Sequence, residues 1–521
     1  MTDESASRLP RHRSPRPGSW SQRLFRWTAF AAGAVFLVLA TIALLGGVEA
    51  RHLADLEAWH RFAPQAEVTA RDIDAGMTLD EYLRREERVL AEVRERLEPA
   101  LAGNPREQFN RYRPGSRAHP SAYPVDGNRT FERVPAEIRG GALLIHGLTD
   151  SPYSMRAIAE ILHRRGYYTL APRMPGHGTT PAALTVAEWH DWLAVVRMSV
   201  RHVRSRIGAG RPLVLVGYSS GGALAVEYTL EALDASGEAR ADRLVLLSPM
   251  IGVKPTARLS KLVSALGFVP YFEKARWLEV YPEYNPFKYT SFPAHAAAQT
   301  AGLTREIDRR LASLAGRGRM SEFPPVLTFQ SVVDATVSTP AVVERLYDRL
   351  PANGSELVLF DVNRLGWLEP FVKSEVARRI AAVLEPRERH YALAVVTNAF
   401  PDRLEVEERR ARPGAHTATH RPLGLAWPDG VFSLSHVALP FPLDDPLYGL
   451  DAVQIPGGPV ALGALSPRGE REVLEITVED LTRTKSNPFF PYLAERLAGW
   501  VDPEIATTMH ELPHSDPLAR P

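Results

Sequence analysis

The chain has 521 residues, 45% hydrophobic and 24% charged, with a formal net charge of +1. That balance belongs to a folded protein with a sizeable core, and the length points to a large domain with appended segments rather than one ordinary domain. The near-zero charge gives no overall field for nucleic acid, and the absence of cysteine removes disulfides, thiolate metal sites and cysteine nucleophiles.

Residues 1–26 carry Arg8, Arg11, Arg13, Arg16, Arg23 and Arg26 against Asp3 and Glu4, and read as a basic cytoplasmic tail. Residues 27–48 contain no charge and approach the ~20 residues needed to cross a bilayer, with Trp20 and Trp27 near the headgroup level. Arginines ahead of an apolar span keep the tail inside, so a single-pass transmembrane anchor is expected, with everything after Arg51 on the non-cytoplasmic side, periplasmic or extracellular. Val48-Glu49-Ala50 offers the competing reading of a cleaved signal peptide, but the apolar stretch is longer than a usual signal core.

Residues 49–128 are expected to be a helical juxtamembrane segment and linker. Apolar residues recur every three or four positions through LDEYLRREERVLAEVRERLEPAL, whereas residues 105–128 are rich in Pro, Gly and Arg. A catalytic domain spans residues 129–521. Within it GALLIHG (141–147), YYTLAP (167–172), PLVLVGY (212–218), DRLVLLSP (242–249) and PVLTFQS (325–331) read as strands, with helical stretches between the first four. Strands apolar throughout and interleaved with helices predict an α/β fold with a mostly parallel sheet covered on both faces.

Gly217-Tyr218-Ser219-Ser220-Gly221 fits G-x-S-x-G between a strand and a helix, a turn that exposes its serine at strained backbone angles. Ser219 is the candidate nucleophile. His146-Gly147-Leu148 follows the first strong strand, so the amides of Leu148 and Ser220 are the candidate oxyanion hole. His177, in Pro175-Gly176-His177-Gly178, precedes the nucleophile and reads as a residue that structures its loop.

HGLTDSP, PGHG, GYSSGG and PVLTFQSVVDATV together resemble the α/β-hydrolase superfamily, in its monoacylglycerol-lipase and carboxylesterase-like branch, also described as serine aminopeptidase-like. The resemblance covers residues 130–350. It implies a sheet of about eight strands, a cap after the sixth strand at about residues 250–322, and the chain order Ser, acid, His. Tyr271, Phe272, Trp277, Tyr281, Tyr284, Phe287 and Tyr289 in that cap suit an apolar acyl pocket or simple cap packing.

Asp334, in SVVDATVS, resembles the family's acid turn, with Asp361 as substitute. The family's histidine follows the next strand, but here that stretch reads ELVLFDVNRLGWLEP and holds none. Of His390, His416, His420, His436, His510 and His514, His436 is the candidate base, because VFSLSHVALPFP sets it after a strand-like run and before a Pro-rich loop. Residues 362–430 then form an insertion, with one helix and two strand-like runs. His416 and His420 have a metal-like spacing, but nearby Pro and Gly argue against the helix that would align them.

The expected activity is that of a serine esterase or lipase: hydrolysis of a small-molecule ester or lipid by a Ser219-His436-Asp334 triad through an acyl-enzyme, with no cofactor. Acyl transfer or amide and peptide cleavage uses the same triad, and a non-catalytic, membrane-tethered binding module is the alternative of a different class.

Overall fold

A computed structural model describes residues 53–104, 107–235, 237–252, 270–385, 387–465 and 482–502, together with Trp20, residues 24–30 and Gly33. Most of the basic tail and of the expected anchor, His510 and His514, and the side chains of Tyr271 and Phe272 lie outside the described residues. No helix among the described residues is long and apolar enough to cross a membrane.

Twelve strands are described: β1 (Phe131–Arg133), β2 (Gly140–Ile145), β3 (Tyr167–Ala171), β4 (Leu213–Tyr218), β5 (Arg243–Leu247), β6 (Trp277–Glu279), β7 (Phe292–Pro293), β8 (Val326–Ser331), β9 (Glu356–Phe360), β10 (Ala392–Asn398), β11 (Glu405–Ala411) and β12 (Thr419–Ala426). Ten of them form one sheet in the order β1-β3-β2-β4-β5-β8-β9-β10-β11-β12, parallel from β3 to β10, with β1, β11 and β12 antiparallel. The family pattern implied about eight strands. β10, β11 and β12 extend the sheet beyond β9, and β12 comes from the segment holding His416 and His420, which the sequence reading left outside any strand.

Strand alternation divides the core into two layers. Leu143, Ile145, Leu215, Leu244 and Leu246 face the helices Trp189–Ile207, Ser220–Asp234 and Ala294–Gly316. Ala142, Leu144, Val214, Val216, Val245 and Leu247 face the helices Arg156–Arg164 and Phe490–Val501. This two-sided burial is why the parallel strands are mostly apolar on both faces, without a polar alternation. The expected cap is shorter than anticipated: Leu303, Ile307, Leu311 and Leu314 of helix Ala294–Gly316 are buried in the main core, so that helix is part of a covering layer.

The N-terminal segment packs on the domain and is no free spacer. Helix Leu79–Leu101 starts at Thr78, which exchanges capping hydrogen bonds with Glu81, and buries Tyr82, Glu86, Val89, Leu90, Val93 and Leu97 along one face. The register then sets the site. Ile145 pairs with Gly217, Tyr218 with Leu247, Leu247 with Phe329 and Ser331 with Phe360, so β2, β4, β5, β8 and β9 end at one level and deliver their loops to one edge.

Candidate active site

Ser219 occupies the turn from β4 to helix Ser220–Asp234 with φ 56° and ψ −119°, a left-handed conformation that a serine adopts only under constraint. Its amide donates to the Leu247 carbonyl at 2.9 Å, and its carbonyl accepts from the Met250 amide at 3.0 Å. The two motif glycines are steric requirements. A Cβ on Gly217 would lie 2.4 Å from the Gly221 carbonyl oxygen, and one on Gly221 would lie 2.1 Å from that of Ile145.

His436 reaches Ser219 from 217 residues away in the chain: its Nε2 is 2.9 Å from Ser219 Oγ. Its Nδ1 is 2.8 Å from Asp334 Oδ2. Asp334 Oδ1 accepts from the amides of Thr336 and Val337, both at 2.8 Å, and Oδ2 also accepts from Gln330 Nε2 at 3.1 Å. Burial alone would raise the Asp334 carboxyl, but the charge and hydrogen bond of His436 and the two amides outweigh it and hold the group below the ordinary carboxylate range. Asp361 does not meet the histidine; it pairs with Arg364 at 2.8 and 2.9 Å and accepts from Thr397 Oγ1 at 3.0 Å.

The route of the histidine differs from the sequence expectation. No strand leads directly into it; residues 427–435 are an irregular loop after β12, and His436 opens a short 3₁₀ turn. That loop returns from the far edge of the sheet and is fastened across the strand ends. Ser331 Oγ donates to the Leu434 carbonyl at 2.9 Å, the Asn363 amide to that of Phe432 at 2.8 Å, and Asn363 Nδ2 to that of Val431 at 3.0 Å. Asn363 thus stands just beyond β9, where the family pattern puts its histidine, and holds the loop that carries one. His390, His416 and His420 are exposed, and His420 on β12 pairs with Glu407 at 3.0 Å.

The candidate oxyanion amides are set by a buried relay. His146 Nε2 accepts from the Met174 amide at 3.0 Å, so its proton is on Nδ1, which donates to the Gly147 carbonyl at 2.9 Å. Burial, first, and the neighbouring His177 keep His146 neutral by lowering its pKa far below the usual range. In a trans peptide the Gly147 carbonyl and the Leu148 amide point in opposite directions, so anchoring one aims the other. A Cβ on Gly147 would lie 3.2 Å from Ser219 Cβ, which puts this peptide against the nucleophile. Ser220 supplies the first amide of its helix. His177 is buried, and its Nδ1 lies 3.1 Å from the Pro175 carbonyl, within its own loop.

Two groups of residues carried no sequence signal. Arg173, fully buried on the loop after β3, is gripped by Glu67 at 2.8 and 2.9 Å, and Glu67 also accepts from the Gly176 amide at 2.9 Å. Tyr82 donates to the Arg173 carbonyl, so two N-terminal residues brace the loop whose Met174 orients His146. A cavity of about 370 Å³ opens over Ser219 and His436, lined by Tyr281, Tyr284 and Tyr289 of the cap but also by Lys288, Arg483 and Lys485. Trp277 and Phe287 pack in core clusters instead. The lining is therefore less apolar than the sequence suggested.

A parallel sheet that holds a strained-turn serine, a histidine and an aspartate together at its C-terminal edge has the architecture of the α/β-hydrolase fold. Residues 136–363 match the family model described as Serine aminopeptidase, S33. The chain is 37% identical over 84 residues to a thermostable monoacylglycerol lipase of Bacillus sp. (strain H-257), covering 16% of this chain and 32% of the relative. It is 30% identical over 101 residues to a carboxylesterase of Bacillus subtilis (strain 168), covering 18% and 40%. The chain thus spans 32% and 40% of the length of these two curated relatives. Among solved structures it is similar to a soluble variant of monoglyceride lipase from Saccharomyces cerevisiae in complex with a substrate analog (17% identity, 44% of this chain, 82% of that chain, TM-score 0.35). A structure from work on the metagenome-derived lipolytic enzymes LipS and LipT matches at 24% identity (49% of this chain, 97% of that chain, TM-score 0.36). The resemblance to the monoacylglycerol-lipase-like branch read from the motifs is borne out. β10 to β12, the N-terminal segment and His436 all fall outside the matched span.

Proposed function

We propose that the protein is a serine hydrolase that cleaves carboxylic esters through an acyl-enzyme. The observation that carries this reading is His436 bridging Ser219 and Asp334 at 2.9 and 2.8 Å. As Ser219 Oγ attacks the ester carbonyl carbon, His436 Nε2 takes its proton while Asp334 stabilises the resulting imidazolium. The amides of Leu148 and Ser220 donate to the oxyanion. Collapse of the tetrahedral intermediate breaks the bond to the alcohol, which takes the proton from His436. A water then repeats the sequence at the acyl-enzyme and releases the acid. The similar proteins named as monoacylglycerol lipase and carboxylesterase support an ester rather than an amide.

The same proposal includes the anchor: residues 27–48 cross a membrane, and the catalytic domain works on the non-cytoplasmic side, a reading supported by the arginine-rich flank. N-terminal sequencing of membrane-extracted protein tests it; a mature chain starting at Arg51 overturns the anchor. For the activity, a fluorophosphonate probe followed by peptide mapping is expected to label Ser219. A folded, unlabelled protein favours a binding module instead.

A further inference from the structure

Charge in the cavity over Ser219 is unevenly distributed. Lys288 comes from the cap, whereas Arg483 and Lys485 come from the segment that leads into helix Phe490–Val501, so two separate parts of the chain bring cations to one cavity. All three are half-buried. Among the described residues, the carboxylates in the same lining are Glu279, which is exposed, and Asp150, which is buried and accepts from the Ser151 amide at 2.8 Å. Burial pushes the Asp150 carboxyl up to about 6 against the pull of Lys288.

Arg483 is the most informative of the three. Its Nη2 donates to Thr336 Oγ1 at 3.1 Å, and the Thr336 amide in turn donates to Asp334, so the guanidinium is tied to the turn that carries the acid. Among the described residues it makes no ion pair with a carboxylate. Lys485 Nζ donates to the Arg483 carbonyl at 3.3 Å, which keeps a second cation beside it. A half-buried guanidinium whose one side-chain partner among the described residues is the neutral Thr336, lining a cavity that also holds Ser219, has donors left for a planar or tetrahedral oxyanion. The rest of the wall fits a compact organic group: Met250, Phe292 and Phe441 supply apolar surface, and about 370 Å³ lies near the lower end of ordinary ligand cavities, ~300–1,000 Å³.

We propose that the ester cleaved at Ser219 carries an anionic oxyacid group, a carboxylate or a phosphate, which Arg483 holds with Lys485 and Lys288 while the scissile carbonyl meets Ser219. This rests on the serine-hydrolase reading and narrows its substrate class. The cations also raise the local concentration of such an anion, which makes the preference dependent on ionic strength.

The test uses the full chain and pairs of esters that differ by one anionic group. Mono-p-nitrophenyl glutarate against p-nitrophenyl butyrate puts the anion on the acyl half; an acylglycerol phosphate against the monoacylglycerol with the same chain puts a phosphate on the alcohol half. In at least one pair kcat/KM is expected to favour the anion by ~10-fold or more, as a charged hydrogen-bonded contact provides. That ratio should shrink in 0.5 M NaCl, approach one in Arg483→Gln and invert in Arg483→Glu. Wild-type turnover of the neutral esters with ratios at or below one in both pairs overturns the inference and leaves the hydrolase reading standing. No turnover of any ester, with Ser219 unlabelled by fluorophosphonate, takes down both. A ratio that Arg483→Glu leaves unchanged removes Arg483 from recognition.

Discussion

Two segments outside the family-like span serve the same site in opposite ways. The N-terminal segment, residues 53–104 and 107–128, lies over the sheet domain and contributes no group to the Ser219-His436-Asp334 cluster; it reaches the site through Glu67, Arg173, Met174 and His146, a chain that ends at the Gly147 peptide. The insertion after β9 lengthens the sheet with β10, β11 and β12 and then sends a loop back over the strand ends with His436 at its tip. One addition braces a loop that the fold already had; the other supplies a side chain that the fold normally finds next to β9. A sheet edge can thus grow by three strands without loss of the site, provided the return loop is fastened where the missing residue stood, as Asn363 does here.

The largest effect is expected at the tip of the return loop. His436→Ala is expected to lower kcat/KM by ~10⁴-fold or more with the fold intact, as loss of a triad member does, and circular dichroism with ester kinetics checks both halves of that statement. Next comes the brace. Glu67→Ala takes the bidentate partner from the fully buried Arg173 and leaves it Glu86 at 3.4 Å, so urea unfolding should show a loss of ~1.5–3 kcal/mol. Its kcat should fall with it, since the loop that sets His146 is no longer held. Glu67→Gln, which retains part of the hydrogen bonding, should recover some of each.

Smaller effects sharpen the contrast. Asn363→Ala removes the side-chain bonds to the Val431 carbonyl and from Asn398 Nδ2, worth ~1–3 kcal/mol of local fastening. The return loop should loosen, with kcat falling about tenfold or less while KM changes little; an unchanged kcat would mean that Ser331 and the backbone suffice. In the N-terminal segment, His60 is buried with its ring against Trp277, and burial, first, and the charge of Arg61 lower its pKa to about 4. The unfolded chain takes up this proton near pH 6.5, the folded protein only near 4. Wild type should therefore lose stability relative to His60→Asn as pH falls from about 6.5 to about 4, by no more than ~1.4 kcal/mol per pH unit. A pH-independent difference in melting temperature contradicts this.

Legibility in the sequence followed how local each signal was. β2, β4, β5 and β8 were visible because strands buried on both faces are mostly apolar, and the turn at Ser219 because both its glycines, which leave no room for a Cβ, lie within two residues of the serine. His436 could be singled out by its loop context, but its path could not: the run before it is apolar because Leu434 packs in the core below the site, not because it is a strand. β12 was hidden by Pro422 and Gly424, which an edge strand tolerates. Glu67 and Arg173, 106 residues apart, and Arg483 look in the sequence like any other surface charges; only the fold buries Arg173 against Glu67 and puts Arg483 in the lining of the cavity over Ser219.

The central claim is that the base for Ser219 arrives from beyond the three added strands. It is tested most directly by substituting the histidines that follow Asp334 one at a time and measuring kcat/KM for a neutral ester alongside the rate of fluorophosphonate labelling of Ser219. His436→Gln should depress both by orders of magnitude, whereas His390→Gln, His416→Gln and His420→Gln, all exposed, should keep wild-type values. Near-wild-type labelling and turnover in His436→Gln, or their loss in one of the others, would contradict the account.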